Sequence, residues 1–218
     1  MKKVSSSADR PASVSESLPA TRERIVRAAS RLMQRQGYDG TGIKQISLEA
    51  SATLGSVYHF FPGGKQELAV AAVRRGDQEF LDELRAALDA HPEPAQAVRA
   101  CAVRIADGLR ASDWLDGCPI TTTALGTAGR FPDIQAAAAE AFAHWHALLF
   151  ERLCAAGIEE TDARDLAYTV INTLEGAELV AQMQQDGEPL KVAGRHLARL
   201  IEGFVPATSQ KRTRSDRV

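Results

Sequence analysis

Aromatic residues make up only 6% of this 218-residue chain, and no apolar run approaches the roughly 18 residues a helix needs to cross a bilayer. A membrane partner is therefore not expected. Cysteine is equally scarce: Cys101, Cys118 and Cys154 are odd in number and widely spaced. Three separate thiols suit a reducing compartment better than a disulfide framework. The opening Met1–Ser7 stretch has no apolar core, so it is not a secretory signal, and a cytoplasmic location is expected. A glycine-rich phosphate loop, a nucleophile elbow and a coupled carboxylate pair are all missing from the sequence. No catalytic residue is assigned, and an enzyme is not expected. Zinc-spaced Cys/His clusters are also missing, and neither a metal nor a cofactor is assigned. His144 and His146 flank Trp145, but on a helix positions i and i+2 point roughly 200° apart and cannot share one ion.

What the chain does have is helical periodicity. Its composition, 44% hydrophobic and 25% charged, is ordinary for a soluble protein, and alanine-rich amphipathic runs dominate, so the expected class is all-α. The formal net charge of −2 hides an asymmetry. Up to Lys65 there are ten Lys/Arg against five Asp/Glu; beyond it, sixteen against twenty-three. A local positive field attracts a polyanion by displacing its counterions, whatever the whole-chain charge. Small charge blocks are more often solvated faces, so this asymmetry gains weight only from where it falls.

It falls on residues 41–68. There Ile43, Ile46, Ser47 and Ala50 follow the i, i+3, i+4, i+7 pattern of a buried helical face. Val57 and Phe61 repeat it in a second, very short helix, leaving Thr53, Leu54, Ser56, Tyr58 and His59 to face outward. Two short helices at a steep angle, the second with a polar and aromatic outer face, suit a DNA major groove. Before them, residues 1–20 read as a disordered Ser/Pro/Ala-rich arm. A helix over about 21–36 follows, opening on Thr21 and buried through Ile25, Ala28, Ala29, Leu32 and Met33. Gly37 stops it, Asp39-Gly40 makes a turn, and Thr41 is the expected N-cap of the next helix. Further helices are expected at about 65–89, 95–110, 121–127, 133–156, 161–185 and 190–204. Of these, the 161–185 helix is expected to open on Thr161 as N-cap and to end by Gly187. The total is about nine helices with no strand. From residue 206 the chain, with Lys211, Arg212, Arg214 and Arg217, reads as a disordered basic tail. The expected boundaries are a helix-turn-helix unit over 21–68 and a larger helical domain over 69–205.

The words Arg24–Ala29, Gly37–Thr41 and Leu54–Leu68, in this order and spacing, resemble the TetR family of bacterial transcriptional regulators. Gly63-Gly64-Lys65, Asp116–Ile120 and Leu174–Ala177 resemble its LmrA/YxaF-like branch. The resemblance implies an N-terminal three-helix DNA-binding domain and a larger C-terminal domain that binds an effector and dimerises. It also implies DNA contacts at Thr41, Lys44, Thr53, Leu54, Gly55, Ser56, Tyr58, His59 and Lys65. Physically, Lys65 would place an ammonium at a helix N-terminus, a phosphate site. Tyr58 can donate its hydroxyl to a phosphate, Gly55 permits close approach, and Thr53 and Ser56 can reach bases or phosphates. Two residues depart from the family pattern. Ser51 stands where the family usually has glycine in the turn, and Leu54 where many relatives carry lysine. Leu54 can instead meet a thymine methyl.

For the effector, Trp114, Cys118, Phe131, Phe142, Trp145, Phe150, Tyr168, Asn172, Glu175 and Met183 are candidate lining residues. Several of them are equally explained as core: Phe142, Trp145 and Leu149 follow i, i+3, i+7. Glu175, flanked by apolar Leu174 and Ala177, either meets a cationic or hydroxylated ligand or pairs with an arginine such as Arg99 or Arg104. Cys118 has no basic sequence neighbour to activate it as a thiol sensor. The last two helices carry more apolar residues (Leu174, Leu179 and Val180 in one, Val192, Leu197, Leu200 and Phe204 in the other) than one neighbouring layer hides. A two-fold four-helix interface, and hence a homodimer, is expected. The function these readings support is a repressor on a palindromic double-stranded DNA operator, released by a small hydrophobic effector. The competing reading, resting on Ser51 and Leu54, is a small-molecule binding protein whose DNA-reading head has degraded.

Overall fold

A computed structural model describes residues 21–206. The arm expected over 1–20 and all of the expected basic tail beyond Pro206 lie outside the described residues. Among those described, the chain forms nine α-helices and no strand. They are α1 (Thr21–Gly40), α2 (Ile43–Glu49), α3 (Leu54–Phe60), α4 (Gly64–Ala90), α5 (Pro94–Ala111), α6 (Pro119–Ala124), α7 (Pro132–Ala155), α8 (Glu160–Gln184) and α9 (Glu188–Phe204). A short 3-10 turn, Leu125–Thr127, extends α6. None of these helices is long and apolar enough to cross a membrane.

The head is built from α1, α2, α3 and the start of α4. The α1 stripe of Ile25, Ala28, Ala29 and Met33 is buried against Ile46 of α2, Val57 of α3, Phe61 and Leu68. Large apolar side chains at helical spacing thus close a small core, and at roughly 1.5–3 kcal/mol for each such chain buried, this core holds the short helices. Short helices are marginal in isolation, so α2 and α3 depend on it. Gly37 interrupts α1 as expected, with φ 71, although helical geometry resumes as far as Gly40. A side chain there would be strained, and its Cβ would also press within 3.3 Å of the Thr122 carbonyl. Thr21 lies inside α1 and accepts a 3.3 Å hydrogen bond from Arg24.

Thr41 is not the cap of α2; Gly42 is. The Thr41 side chain is buried and donates its hydroxyl to the Gly37 carbonyl at 2.8 Å, tying the end of α1 to the start of α2. Between α2 and α3, Ser51 takes φ 48, the left-handed geometry that glycine accepts without cost.

α4 carries the chain from the head into the larger body without a break, so the boundary expected between residues 68 and 69 falls inside one helix. In the body α5 packs on α9, α4 on α7, and α8 on both α7 and α9. Proline opens α5, α6, α7 and α9 within the first two positions, where its missing N–H leaves no helical bond unmade. Thr161 is not the cap of α8: the Glu159 carboxylate accepts its N–H at 2.9 Å. α8 ends on Gln185 in left-handed geometry, two residues before Gly187. At Gly76, α4 comes so close to α6 that a Cβ would sit 2.8 Å from the Pro119 ring.

Ser51→Gly is expected to relieve the turn strain and raise stability by roughly 0.5–1 kcal/mol. An increase in Tm by thermal circular dichroism checks this; a decrease would mean that the Ser51 side chain contributes more than its backbone costs.

Candidate nucleic-acid interface and interior cavity

The outer face of the head is formed by α2, the Ser51 turn and α3. Thr53 caps α3: its hydroxyl accepts the Ser56 N–H at 3.0 Å, and the two hydroxyl oxygens lie 2.9 Å apart. This cap fixes where α3 begins and presents Leu54, Gly55, Tyr58 and His59, all exposed, on one side. Nothing beyond its own cap crowds Gly55. The Tyr58 ring packs beside Gly64, while about half the residue remains exposed. Lys44 is exposed on α2 together with Gln45 and Leu48, which the sequence reading did not single out. Their spacing of i, i+1 and i+4 from Lys44 is the signal that could have found them. Leu48 is 72% exposed, unusual for a leucine in a well-packed head. The turn itself is braced from α1: Arg24 donates to the Ala50 carbonyl at 3.1 Å, and Arg31 pairs with Glu49 at 3.0 Å.

Lys65 sits in the first turn of α4, its ammonium 4.3 Å above the Tyr38 ring. Partial burial pushes its pKa down, and the nearby Asp39 carboxylate opposes that shift. Two of the donors expected at this N-terminus are occupied. The Gly63 N–H is taken by the Glu67 carboxylate at 2.8 Å, and the Gly64 N–H by the Phe61 carbonyl at 2.9 Å. The site therefore rests more on the lysine charge than on free amides. Asp39 is clamped by both guanidinium nitrogens of Arg130, at 2.7 and 3.0 Å, which holds its carboxyl below the usual range. Tyr38 in turn packs on Phe131 with ring centroids 5.0 Å apart, so Phe131 serves this junction.

A cleft of about 540 Å³ opens between the head and the body. Of the candidate effector residues, Cys118, Trp145 and Glu175 line it, and Gln34, Phe80 and Glu178 join them. The other expected lining residues lie elsewhere. Phe142 packs edge-on behind Trp145 at 5.0 Å, Trp114 is partly buried against the core, and Asn172 points outward from α8. Phe150 carries the Arg164 guanidinium, while Tyr168 and Met183 are exposed. Glu175 pairs with neither Arg99 nor Arg104; it accepts the Thr121 hydroxyl at 2.9 Å, and Arg104 lies 3.8 Å from Glu83. Trp145 is fully buried and donates its indole N–H to Asp77 at 2.9 Å. The other Asp77 oxygen meets His144 at 2.8 Å, while His146 stacks on Tyr168, so the two histidines diverge as helical geometry requires. Glu178 was legible as i+3 from Glu175; Gln34 and Phe80 come from distant helices and left no local signal.

Gln34 also links the two bodies, donating from α1 to the Gly117 carbonyl at 2.7 Å. Beside it Arg35 grips Asp116 through two bonds of 2.5 and 3.1 Å. Gln34 therefore brings α1 of the head to the wall of the cleft.

Comparison with known proteins agrees with this geometry. Residues 25–72 match the family described as bacterial regulatory proteins, tetR family. Residues 94–196 match the C-terminal domain described as transcriptional regulator LmrA/YxaF-like. The HTH-type transcriptional regulator LmrA of Bacillus subtilis is 33% identical over 78% of this chain and 90% of its own length. YxaF of the same organism, an uncharacterized HTH-type regulator, is 30% identical over 83% of this chain and 95% of its own. A crystal structure of a TetR transcriptional regulator from Chloroflexus aurantiacus superposes with TM-score 0.71 at 28% identity, covering 85% of this chain and 96% of that one.

Burial sets the chemistry inside the cleft. It pushes the Cys118 thiol well above its ordinary pKa, with Glu175 and Glu178 adding to the effect, which opposes a reactive thiolate. It raises Glu175 and lifts Glu178 from 4.5 to about 8. Because the folded-state pKa of Glu178 exceeds the unfolded value, the folded protein binds more protons between pH 4.5 and about 8. Stability should therefore fall as pH rises through that window. Glu178→Gln is expected to be more stable than the parent near pH 8, by about 1–3 kcal/mol, and to lose that advantage toward pH 5. Urea melts at the two pH values measure this; a pH-independent difference would contradict the buried-acid assignment.

Proposed function

The chain belongs to the tetR family of bacterial regulatory proteins and is a DNA-binding transcriptional regulator, and from that premise we propose the following finer reading. It is a cytoplasmic, homodimeric repressor that holds a near-palindromic operator and is released by a small hydrophobic effector. The observation that carries this reading is the capped, outward face of α3 standing beside the Lys65 ammonium. In it, Ser56, Thr53, Gly55, Leu54 and His59 face base edges, while Lys44, Tyr58 and Lys65 hold phosphates. Thr41 acts from inside, as the hydroxyl that fixes α2 to α1. The competing reading of a degraded head loses its main support, because Ser51 adopts the left-handed turn in spite of its side chain.

The dimer is supported by the outward face of α8 and α9. Tyr168, Leu179, Val180 and Met183 on α8 and Leu200 and Phe204 on α9 are each at least 40% exposed. Asn172 lies on the same α8 face and is assigned to it rather than to the cleft. Pairing these faces by a two-fold axis would hide apolar surface too extensive for a lone protomer. It would also set two copies of α3 for half-sites about one helical turn, ~34 Å, or more apart. The effector then acts only through a preference for the protomer geometry that fits DNA poorly.

An unbiased selection of duplex oligonucleotides by the purified protein is expected to return an inverted repeat. On that sequence, Lys65→Ala should weaken binding to all duplexes alike and lower the slope of log affinity against log salt by about one. Ser56→Ala should instead change which bases are preferred. Recovery of no enriched duplex would overturn the operator reading, and an unchanged salt slope in Lys65→Ala would remove its phosphate contact.

A further inference from the structure

The carboxylates around the cleft are not alike. Four of them sit at its rim with arginine partners: Glu79 with Arg75 at 2.6 Å, Asp82 with Arg85 at 3.2 Å, Glu83 with Arg104 at 3.8 Å, and Asp116 with Arg35 at 2.5 Å. Two sit deeper, on successive turns of α8. Glu175 accepts the Thr121 hydroxyl and the Cys118 thiol and meets no cation, and Glu178, partly buried, has no hydrogen-bond or ion-pair partner among the described residues. Their i, i+3 spacing turns both toward the same space. Opposite them stand Phe80 and Trp145, rings 4.3 Å apart, the indole N–H of the latter already given to Asp77. Phe80 thus gives the cavity a partly exposed π surface and no hydrogen-bond donor, with the fully buried Trp145 ring backing it.

A carboxyl drawn partly out of water without a partner is costly to ionise, and it escapes that cost either by keeping its proton or by meeting a positive charge. Arg104, the one basic residue on the wall among the described residues, is engaged with Glu83. A metal ion fits poorly, since among the described residues no three His, Cys, Asp or Glu side chains converge as ligands. The remaining complement is an organic cation whose apolar body lies on the Phe80 ring and whose charge faces the two acids.

We infer that the cleft takes a lipophilic organic cation, an aromatic amine or quaternary onium, held between Glu175 and Glu178 on one side and Phe80, backed by Trp145, on the other. This rests on the cleft being the effector site proposed above. It narrows the effector from hydrophobic to hydrophobic and positively charged.

Three probes of similar aromatic bulk test it on the full chain by isothermal titration: tetraphenylphosphonium, neutral triphenylphosphine oxide and anionic tetraphenylborate. The cation is expected to bind at least about tenfold more tightly than either of the others. Glu178→Gln and Glu175→Gln, each checked for folding by circular dichroism, should erase most of that preference while leaving the neutral probe unchanged. Equal or tighter binding of the neutral or anionic probe overturns the cation assignment but leaves an effector cleft standing. Binding of no probe overturns the cation assignment as well. The effector reading is lost separately, if filling the cleft with whichever probe binds leaves operator affinity unchanged. Because the probe comparison on the parent protein stands alone, a variant that fails to fold does not rescue the idea.

Discussion

The carboxyl-terminal half of α1 is held by two bodies at once, and the architecture depends on that double attachment. Met33 anchors it in the head core, while one residue later Gln34 bonds to Gly117, and Arg35 grips Asp116 in the loop before α6. At its far end Asp39 is clamped by Arg130, just ahead of α7. The part-buried Gln34 bond contributes about 1 kcal/mol, and the exposed ion pairs little. Packing of α1 along α6 and the Tyr38–Phe131 stack complete the junction, so the ties at Gln34, Arg35 and Asp39 set the register of the head more than its strength. Since Gln34, Asp116 and Gly117 also wall the cleft, occupancy there and the position of the head are linked by shared atoms.

Much of the fold was legible because it is written in local periodicity. The burial of Ile46, Ser47, Ala50, Val57 and Phe61 follows from spacing alone, and Gly37 and the prolines mark helix limits within a residue or two. Capping was read less well. Thr41 and Thr161 have the right side chains for caps, but neighbours one or two residues away took the role, Gly42 by backbone geometry and Glu159 with a longer acceptor. Such choices turn on small energy differences that spacing does not encode.

The cleft was less legible, for a different reason. Its walls come from α1, α4, α5, α6, α7 and α8, and only same-helix relations such as Glu175 with Glu178 can be read along the chain. Aromatics were poor guides: Phe131 serves the junction with the head, and Phe142 lies behind Trp145 rather than on the surface of the cavity. The missing arginine beside Glu175 was more telling. A charge left unmatched in the interior points to something outside the chain more clearly than a hydrophobic residue does.

The close meeting of Gly76 with the Pro119 ring has a mechanical consequence. With no side chain between them, α4 and the start of α6 meet closely here, so a tilt of α4 would turn about this contact. Lys65 lies eleven residues away along the same unbroken helix, an arm of about 16 Å, so a tilt of about 5° sweeps its end through about 1.4 Å. An arc of that length is about half the span of a hydrogen bond, sufficient to carry an ammonium out of register with a phosphate oxygen.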